Sequence, residues 1–237
     1  MTAIDNIIAW NDRGGDFVLV AQIEQTTPLT LLARAPVHTI GALAGSRIAV
    51  DAPDSGFAIP LRAILKRQGV LFEDATWLLL GGVRERYEAL IAARCDATLL
   101  GPPFDLAAKA AGFVPLIEIQ QVWSDFPGQG VVASRKALRD KSTIFETYLS
   151  TIARAASWAR ENPDQAEAIL VQSSPSQEMA RAMLRAMPND LVPSQSGVDR
   201  LIETRSELGL LAPGTLKYGD LVDRTIVARL AGTNRRE

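Results

Sequence analysis

Residues 45–104, GSRIAVDAPDSGFAIPLRAILKRQGVLFEDATWLLLGGVRERYEALIAARCDATLLGPPF, constrain the fold more than any other part of the chain. Apolar runs (RIAV, TWLLL, DATLL) alternate with amphipathic segments (IPLRAILKRQG, RYEALIAAR). That alternation predicts an α/β architecture with a largely parallel sheet and crossover helices. Each run ends in small residues, as AVDAPDSG, LLLGG and LLGPP. In such sheets ligands settle beyond the carboxyl ends of the strands, where loops feed helix N-termini. Three loops therefore converge on one prospective site. None carries a recognisable catalytic set, which points first to binding.

Around this stretch the pattern changes in both directions. TAIDNIIAW (2–10) reads as a short amphipathic helix capped by Asp5 or Asn6, with DFVLVAQIE (16–24) and TPLTLLAR (27–34) as strands. Downstream, VPLIEIQQVW (114–123) reads as a strand, and VVASRKAL (131–138) as a strand turning into a helix. Beyond 139 the periodicity is helical, with helices expected at about 143–160, 163–171, 176–187 and 194–211, and a last one within 215–232 that starts after Gly219. Two lobes are expected, with crossings near 35–45 and 125–134.

Composition excludes several functions. The chain has 237 residues, a formal net charge of -2 and no long basic run, so no phosphate backbone would be neutralised and nucleic acid is excluded as a principal partner. Cys95 and His38 are the only residues of their kinds. One cysteine forms no intrachain disulfide, and one of each supplies no usual transition-metal ligand set. A carboxylate-only metal loop needs a denser acidic run than DAPD or NDRGGD, so neither metal nor cofactor is expected. No GxSxG surrounds a serine, and Cys95 lies at an apolar strand entry, so no catalytic residue is expected either. The apolar runs are too short for a membrane span. MTAIDNIIAWNDRGG has no basic, apolar and cleavable signal pattern, which predicts a cytoplasmic protein if this start is the native one.

Each candidate binding residue has a plain structural alternative. Asp54 or Ser55 is placed to cap a helix near Pro60, and the free N–H groups of Ser55, Gly56 and their neighbours suit an anion. The alternative is a cap alone. Gly81 and Gly82 permit close approach of backbone to ligand, and Arg84 in the next helical turn is a candidate clamp or an ordinary surface charge. Gly101-Pro102 ends the third strand as a stiff pocket wall, with Asp105 as a helix cap. Trp123, beside the FPGQG loop, stacks on a flat ligand or packs in the core.

TPLTLLAR, LAGSRIAVDAPDSG, GVRERYEALIAARCDATLLGPP, GVVASRKAL and ARAASWARENPDQAEAIL, in that order over about 27–172, resemble the substrate-binding proteins of ABC importers. More narrowly they resemble the NMT1/THI5-like group, whose members include binders of sulfonates, nitrate, aromatic carboxylates and pyrimidine precursors. The resemblance implies a two-lobed type II periplasmic-binding-protein fold, each lobe a mainly parallel sheet flanked by helices. It implies that residues 1–40 and 131–237 form one lobe and 41–130 the other, with a small anionic or aromatic ligand in the cleft between them. Carried over residue by residue, the ligand contacts are Asp5, Asn6, Ser55, Gly56, Phe57, Gly81, Gly82, Gly101 and Pro102, with Trp123 and Gln129 near the cleft. The implied partner is an ABC permease and the implied location periplasmic.

One departure stands out against that family. Its members carry a strand, helix and strand ahead of the segment matching TAIDNIIAW, so this chain is expected to lack them, to present an open sheet edge and to self-associate through it. Enzymes among the relatives set the alternative function. A thiamine-pyrimidine synthase uses a cysteine-rich motif and a sulfinate desulfinase an early nucleophilic cysteine, and Cys95 matches neither. A cytoplasmic sensor of the same fold is the third reading.

Overall fold

The computed structural model describes residues 1–173 and 176–233. The chain forms two compact units. The first comprises residues 1–27, 125–206 and 211–237, and the second 28–124 with 207–210.

The first unit opens with β1 (Thr2–Ala3), α1 (Asn6–Asp12) and β2 (Phe17–Gln22). The second contains β3 (Thr30–Ala33), β4 (Arg47–Val50), α2 (Ile59–Arg67), β5 (Thr76–Leu79) and α3 (Val83–Ile91). It continues with β6 (Ala97–Leu100), α4 (Phe104–Ala110), β7 (Val114–Glu118) and the single turn α5 (Ile119–Val122). Back in the first unit come β8 (Gln129–Ser134), α6 (Arg135–Asp140), α7 (Ser142–Glu161), α8 (Pro163–Ser173), α9 (Gln177–Ala186), α10 (Gln195–Glu207), α11 (Tyr218–Leu221) and α12 (Thr225–Thr233).

The second unit holds a five-stranded sheet in the order β5-β4-β6-β3-β7. β4 runs parallel to both β5 and β6, as the βαβ alternation demands, while β3 is antiparallel to β6 and β7. Thr30 to Ala33 pair with Leu100 to Ala97, so β3 belongs to this sheet and not with residues 1–40. The changeovers accordingly fall at Thr27/Pro28 and Ser124/Asp125. Leu32, Ala49, Ala89, Leu90, Cys95, Leu100 and Ala108 form the core beneath α3 and α4. Gly112, at φ +87°, ends the run after α4 where a side chain would be strained.

In the first unit the sheet order is β1-β8-β2. β1 and β2 run the same way, joined through α1, but β8 lies between them antiparallel to both, so the pairings here are antiparallel where a mainly parallel sheet was expected. Helices pack on it through Val18, Val20, Val131, Leu138, Leu149, Leu191, Ile226 and Val227. Serine hydroxyls cap three of them: Ser134 Oγ accepts from Ala137 N at 3.1 Å, Ser176 Oγ from Met179 N at 3.2 Å and Ser194 Oγ from Gly197 N at 3.2 Å.

Three expected elements differ. The helix expected over 2–10 begins instead as a strand, because Thr2 and Ala3 pair with Gly130 and Gln129. The strand expected over 114–123 stops at Glu118, where the chain turns helical as Ile119 N bonds to Leu29 O. The last helix, expected to start after Gly219, is broken into α11 and α12, because Val222 forms a parallel bridge to Leu19 and Asp223 N bonds to Leu19 O. Among the described residues no helix is long and apolar enough to cross a membrane.

Candidate functional site

β5, β4 and β6 are adjacent in the second unit and end side by side. Their carboxyl ends deliver the loops 51–58, 80–82 and 101–103, so Ser55, Gly56, Phe57, Gly81, Gly82, Arg84, Gly101 and Pro102 gather at one end of one sheet.

Ser55 is tied into its own loop. Its Oγ donates to Asp51 Oδ1 at 2.6 Å and accepts from Ala58 N at 3.2 Å. Arg62 braces the same loop from α2, donating to Pro53 O at 3.1 Å and to Asp54 Oδ1. The loop is therefore held in shape by side chains before any ligand arrives. Gly56 is buried and Phe57 half-buried. Gly101 is buried against the β3 entry, where an added Cβ would meet Pro28 O and Leu29 Cδ2, both at 3.2 Å. Pro102 beside it is half-buried.

At the start of α3, Gly81 and Gly82 are exposed, and Gly81 has φ +29°. Gly82 is the N-cap and offers no side-chain cap. A Cβ at Gly82 would sit 2.6 Å from Glu85 Oε2, so the Glu85 carboxylate lies against this helix end. Part of the positive end of α3 is already offset by that charge.

The important cation here is Arg86. Arg84 is exposed, whereas Arg86 is only 6% exposed. Its Nη1 donates to Gly81 O at 2.7 Å, and its Nε is buried without a hydrogen-bond partner. Burial draws its pKa below the usual arginine value, while the charges of Asp51 and Glu85 act the other way. Asp51 thus links Arg86 to the Ser55 loop, which brings the β4 and β5 ends into one charged network. Helical phase carried the missing signal. Arg86 precedes the buried Ala89 and Leu90 by three and four residues, so it shares their face, and Arg84 does not.

Other expected contacts sit differently. Asp5 is 1% exposed, and its Oδ2 accepts from Arg205 Nε at 2.8 Å and from Arg205 Nη2, so it is an internal ion-pair partner and not an available ligand group. Burial pushes its carboxyl above the usual value while Arg205 pulls it back. Asn6 Nδ2 donates to Thr2 Oγ1 at 2.8 Å. Gln129 is bound into the first unit by Glu24, whose carboxylate accepts from Gln129 N at 3.0 Å and Nε2 at 3.1 Å. Trp123 is 6% exposed and the Arg67 guanidinium lies 4.9 Å from its ring centre. Arg67 is the last residue of α2, about 12 Å of helix from the end that meets Ser55, so this indole is packed and not poised to stack on a ligand there.

Outside the strand ends, Cys95 is fully buried and His38 exposed. Burial, with the charge of Asp96, raises the Cys95 thiol to about 11. Among the described residues no group of three or more His, Cys, Asp or Glu is arranged to hold a metal ion.

Several solved structures share this architecture. The ligand-binding component of an ABC-type import system from Staphylococcus aureus, with zinc bound, is 14% identical at a TM-score of 0.77, over 97% of this chain and 79% of that one. The alkanesulfonate-binding protein SsuA from Xanthomonas axonopodis pv. citri, bound to MOPS, is 20% identical at a TM-score of 0.70, over 95% and 77%. The desulfurization enzyme DszB is 12% identical at a TM-score of 0.67, over 100% and 85%. At these identities the likeness establishes the periplasmic-binding-protein fold alone. No curated protein matches the sequence. The NMT1/THI5-like family matches residues 1–166, well over half the chain, and the protein is a member of that family.

Proposed function

We propose that this protein is the solute-binding component of an ABC importer. It holds a small organic anion, a sulfonate, carboxylate or pyrimidine-like molecule, at the strand ends of the second unit. The single observation that carries this is the buried Arg86 guanidinium at Gly81, with one N–H unpaired, beside a braced Ser55 loop. A buried donor left without a partner is costly, and a ligand oxygen is a natural complement to it. The negative charge assigned to the ligand rests on Arg86 rather than on the α3 end, where Glu85 already stands. Fold likeness to a sulfonate binder supports the same class. Delivery to a permease in the periplasm follows from that role.

An enzyme of this fold is the second reading, kept by the likeness to DszB. The raised, fully buried Cys95 thiol argues against its serving as the nucleophile.

Calorimetric titration with alkanesulfonates, aromatic carboxylates and uncharged analogues tests the proposal. One anionic series binds, Arg86→Lys weakens it by about tenfold or more, and Arg84→Ala by less than about threefold. Equal binding of neutral analogues, or equal effects of the two substitutions, would overturn the reading.

A further inference from the structure

Arg62, Leu65 and Lys66 stand at i, i+3 and i+4 on α2 and so share one face. Gly69, at φ +77°, turns the chain back, and Val70, Phe72 and then Trp77 of the edge strand β5 come to line a cavity with that face. Leu208 closes it, so the cavity lies wholly within the second unit. Its volume is about 210 Å³. An apolar cavity of about 150 Å³ accepts benzene, so this one has room for a single ring and a carboxylate.

The walls are held by contacts of their own. Trp77 Nε1 donates to Phe72 O at 2.8 Å, and the two rings stack with centres 5.0 Å apart and planes 15° apart. Leu208 is seated by its neighbour Glu207, which accepts from Arg67 and Lys66. Leu65 and Val70 are both buried.

Arg62 decides what the cavity takes. Its side chain is only 10% exposed, and its guanidinium lies 4.3 Å over the Phe72 ring. All its hydrogen bonds leave from Nη1, to Pro53 O at 3.1 Å and to Asp54 Oδ1. Among the described residues the Nε–Nη2 edge makes none, and Nε is buried without a partner. Arg47 grips Asp96 and Arg200 grips Asp125 through that same edge, Nε and Nη2 together. A carboxylate is therefore the group that completes Arg62. Arg62 and Lys66 set two positive charges against the one negative charge of Glu73, which suits a monoanion.

We propose that this cavity is a second binding site, for a small aromatic monocarboxylate. The ring lies among Leu65, Val70, Leu208 and the Phe72–Trp77 stack, and the carboxylate takes the free edge of Arg62 with Lys66 beside it. Arg62 also joins the cavity to the strand ends, because its Nη1 braces the Ser55 loop. An occupant that fixes the guanidinium stiffens residues 51–58 with no ligand at the strand ends.

Benzoate titrated into the full chain, followed by nitrogen–proton NMR, tests this. The Trp77 indole N–H signal, assigned with Trp77→Phe, shifts saturably, and amide exchange slows in 51–58. Uncharged benzamide binds at least about tenfold more weakly. Arg62→Lys keeps the charge, loses the fork and weakens benzoate by about tenfold. Leu208→Trp fills the cavity and abolishes the response, while its circular dichroism and melting temperature match the wild type. Arg86→Lys, which weakens the binding proposed at the strand ends, leaves the Trp77 response within about twofold. A Trp77 signal that stays still would overturn the proposal, as would equal binding of benzamide. So would a response lost in Arg86→Lys and kept in Arg62→Lys, which would put benzoate at the strand ends alone. A Trp77 response that needs Arg62, with no binding anywhere that needs Arg86, upholds this site and removes the one at the strand ends.

Discussion

Residue chemistry depends here on burial before identity. Cys95 is 0% exposed and its thiol is raised to about 11, so at neutral pH almost no thiolate exists and none of it is reachable. A thiol reagent therefore reacts with the native chain only as fast as the chain opens, and stoichiometrically once it is unfolded in denaturant. Rapid native labelling would contradict this and revive the nucleophile. Arg205 is the same lesson with charge. It is 2% exposed and paired with a fully buried Asp5, so Arg205→Met leaves a buried carboxylate uncompensated and lowers stability by about 3–5 kcal/mol in chemical unfolding. Neither fate is legible in TAIDN or in ETRSE, because the partners lie 200 residues apart. Arg86 was closer to legible: its phase with Ala89 and Leu90 marks it as inward-facing, while residue type alone favours neither it nor Arg84.

At the level of elements, sequence periodicity reads local structure well and pairing poorly. The run β4, α2, β5, α3, β6 follows from the alternation of apolar strands with amphipathic helices, each break marked by glycine or proline. β1 does not follow, because a two-residue strand exists only through its pairing with β8. Register at the start of the second unit's sheet has an electrostatic support. Asp96 Oδ2 accepts from Arg47 N at 2.9 Å and Nε at 3.0 Å, and Oδ1 from Arg47 Nη2 at 2.8 Å, which fastens the entry of β6 to that of β4. These Arg47 hydrogen bonds hold the Asp96 carboxyl below its usual value. A carboxylate whose pKa is depressed on folding stabilises the fold above its unfolded value, about 3.9, and loses that contribution as pH falls through the folded value. Urea midpoints across pH should therefore show Asp96→Asn less stable than wild type at neutral pH, with the gap closing below about pH 4. A gap independent of pH would mean that the charge has no part in it.

For the whole molecule, the chain enters the second unit at Pro28, leaves at Ser124 and returns briefly at Glu207–Leu210. The return is not foreseeable from the helical pattern of residues 194–211. It is fixed by Glu207, whose carboxylate accepts from Arg67 Nη2 at 2.9 and 3.0 Å and whose carbonyl accepts from Lys66 Nζ. The ligand binding proposed for the strand ends of that unit has a thermodynamic consequence. A ligand that binds only the folded chain stabilises it by about 2.7 kcal/mol at a hundredfold excess over Kd, which raises Tm by roughly 5–11 °C for a chain of this size. The gain is not uniform if the contacts are those proposed. Amide exchange should slow most in 51–58, 80–86 and 101–105, where backbone N–H groups and Arg86 meet the ligand. α7 and α12 should change only through global stability, because they lie in the other unit. Protection that rises equally everywhere, or that centres on the first unit, would move the site away from these strand ends. It would leave the unpaired Arg86 Nε as a cost of packing the α3 face rather than a binding group.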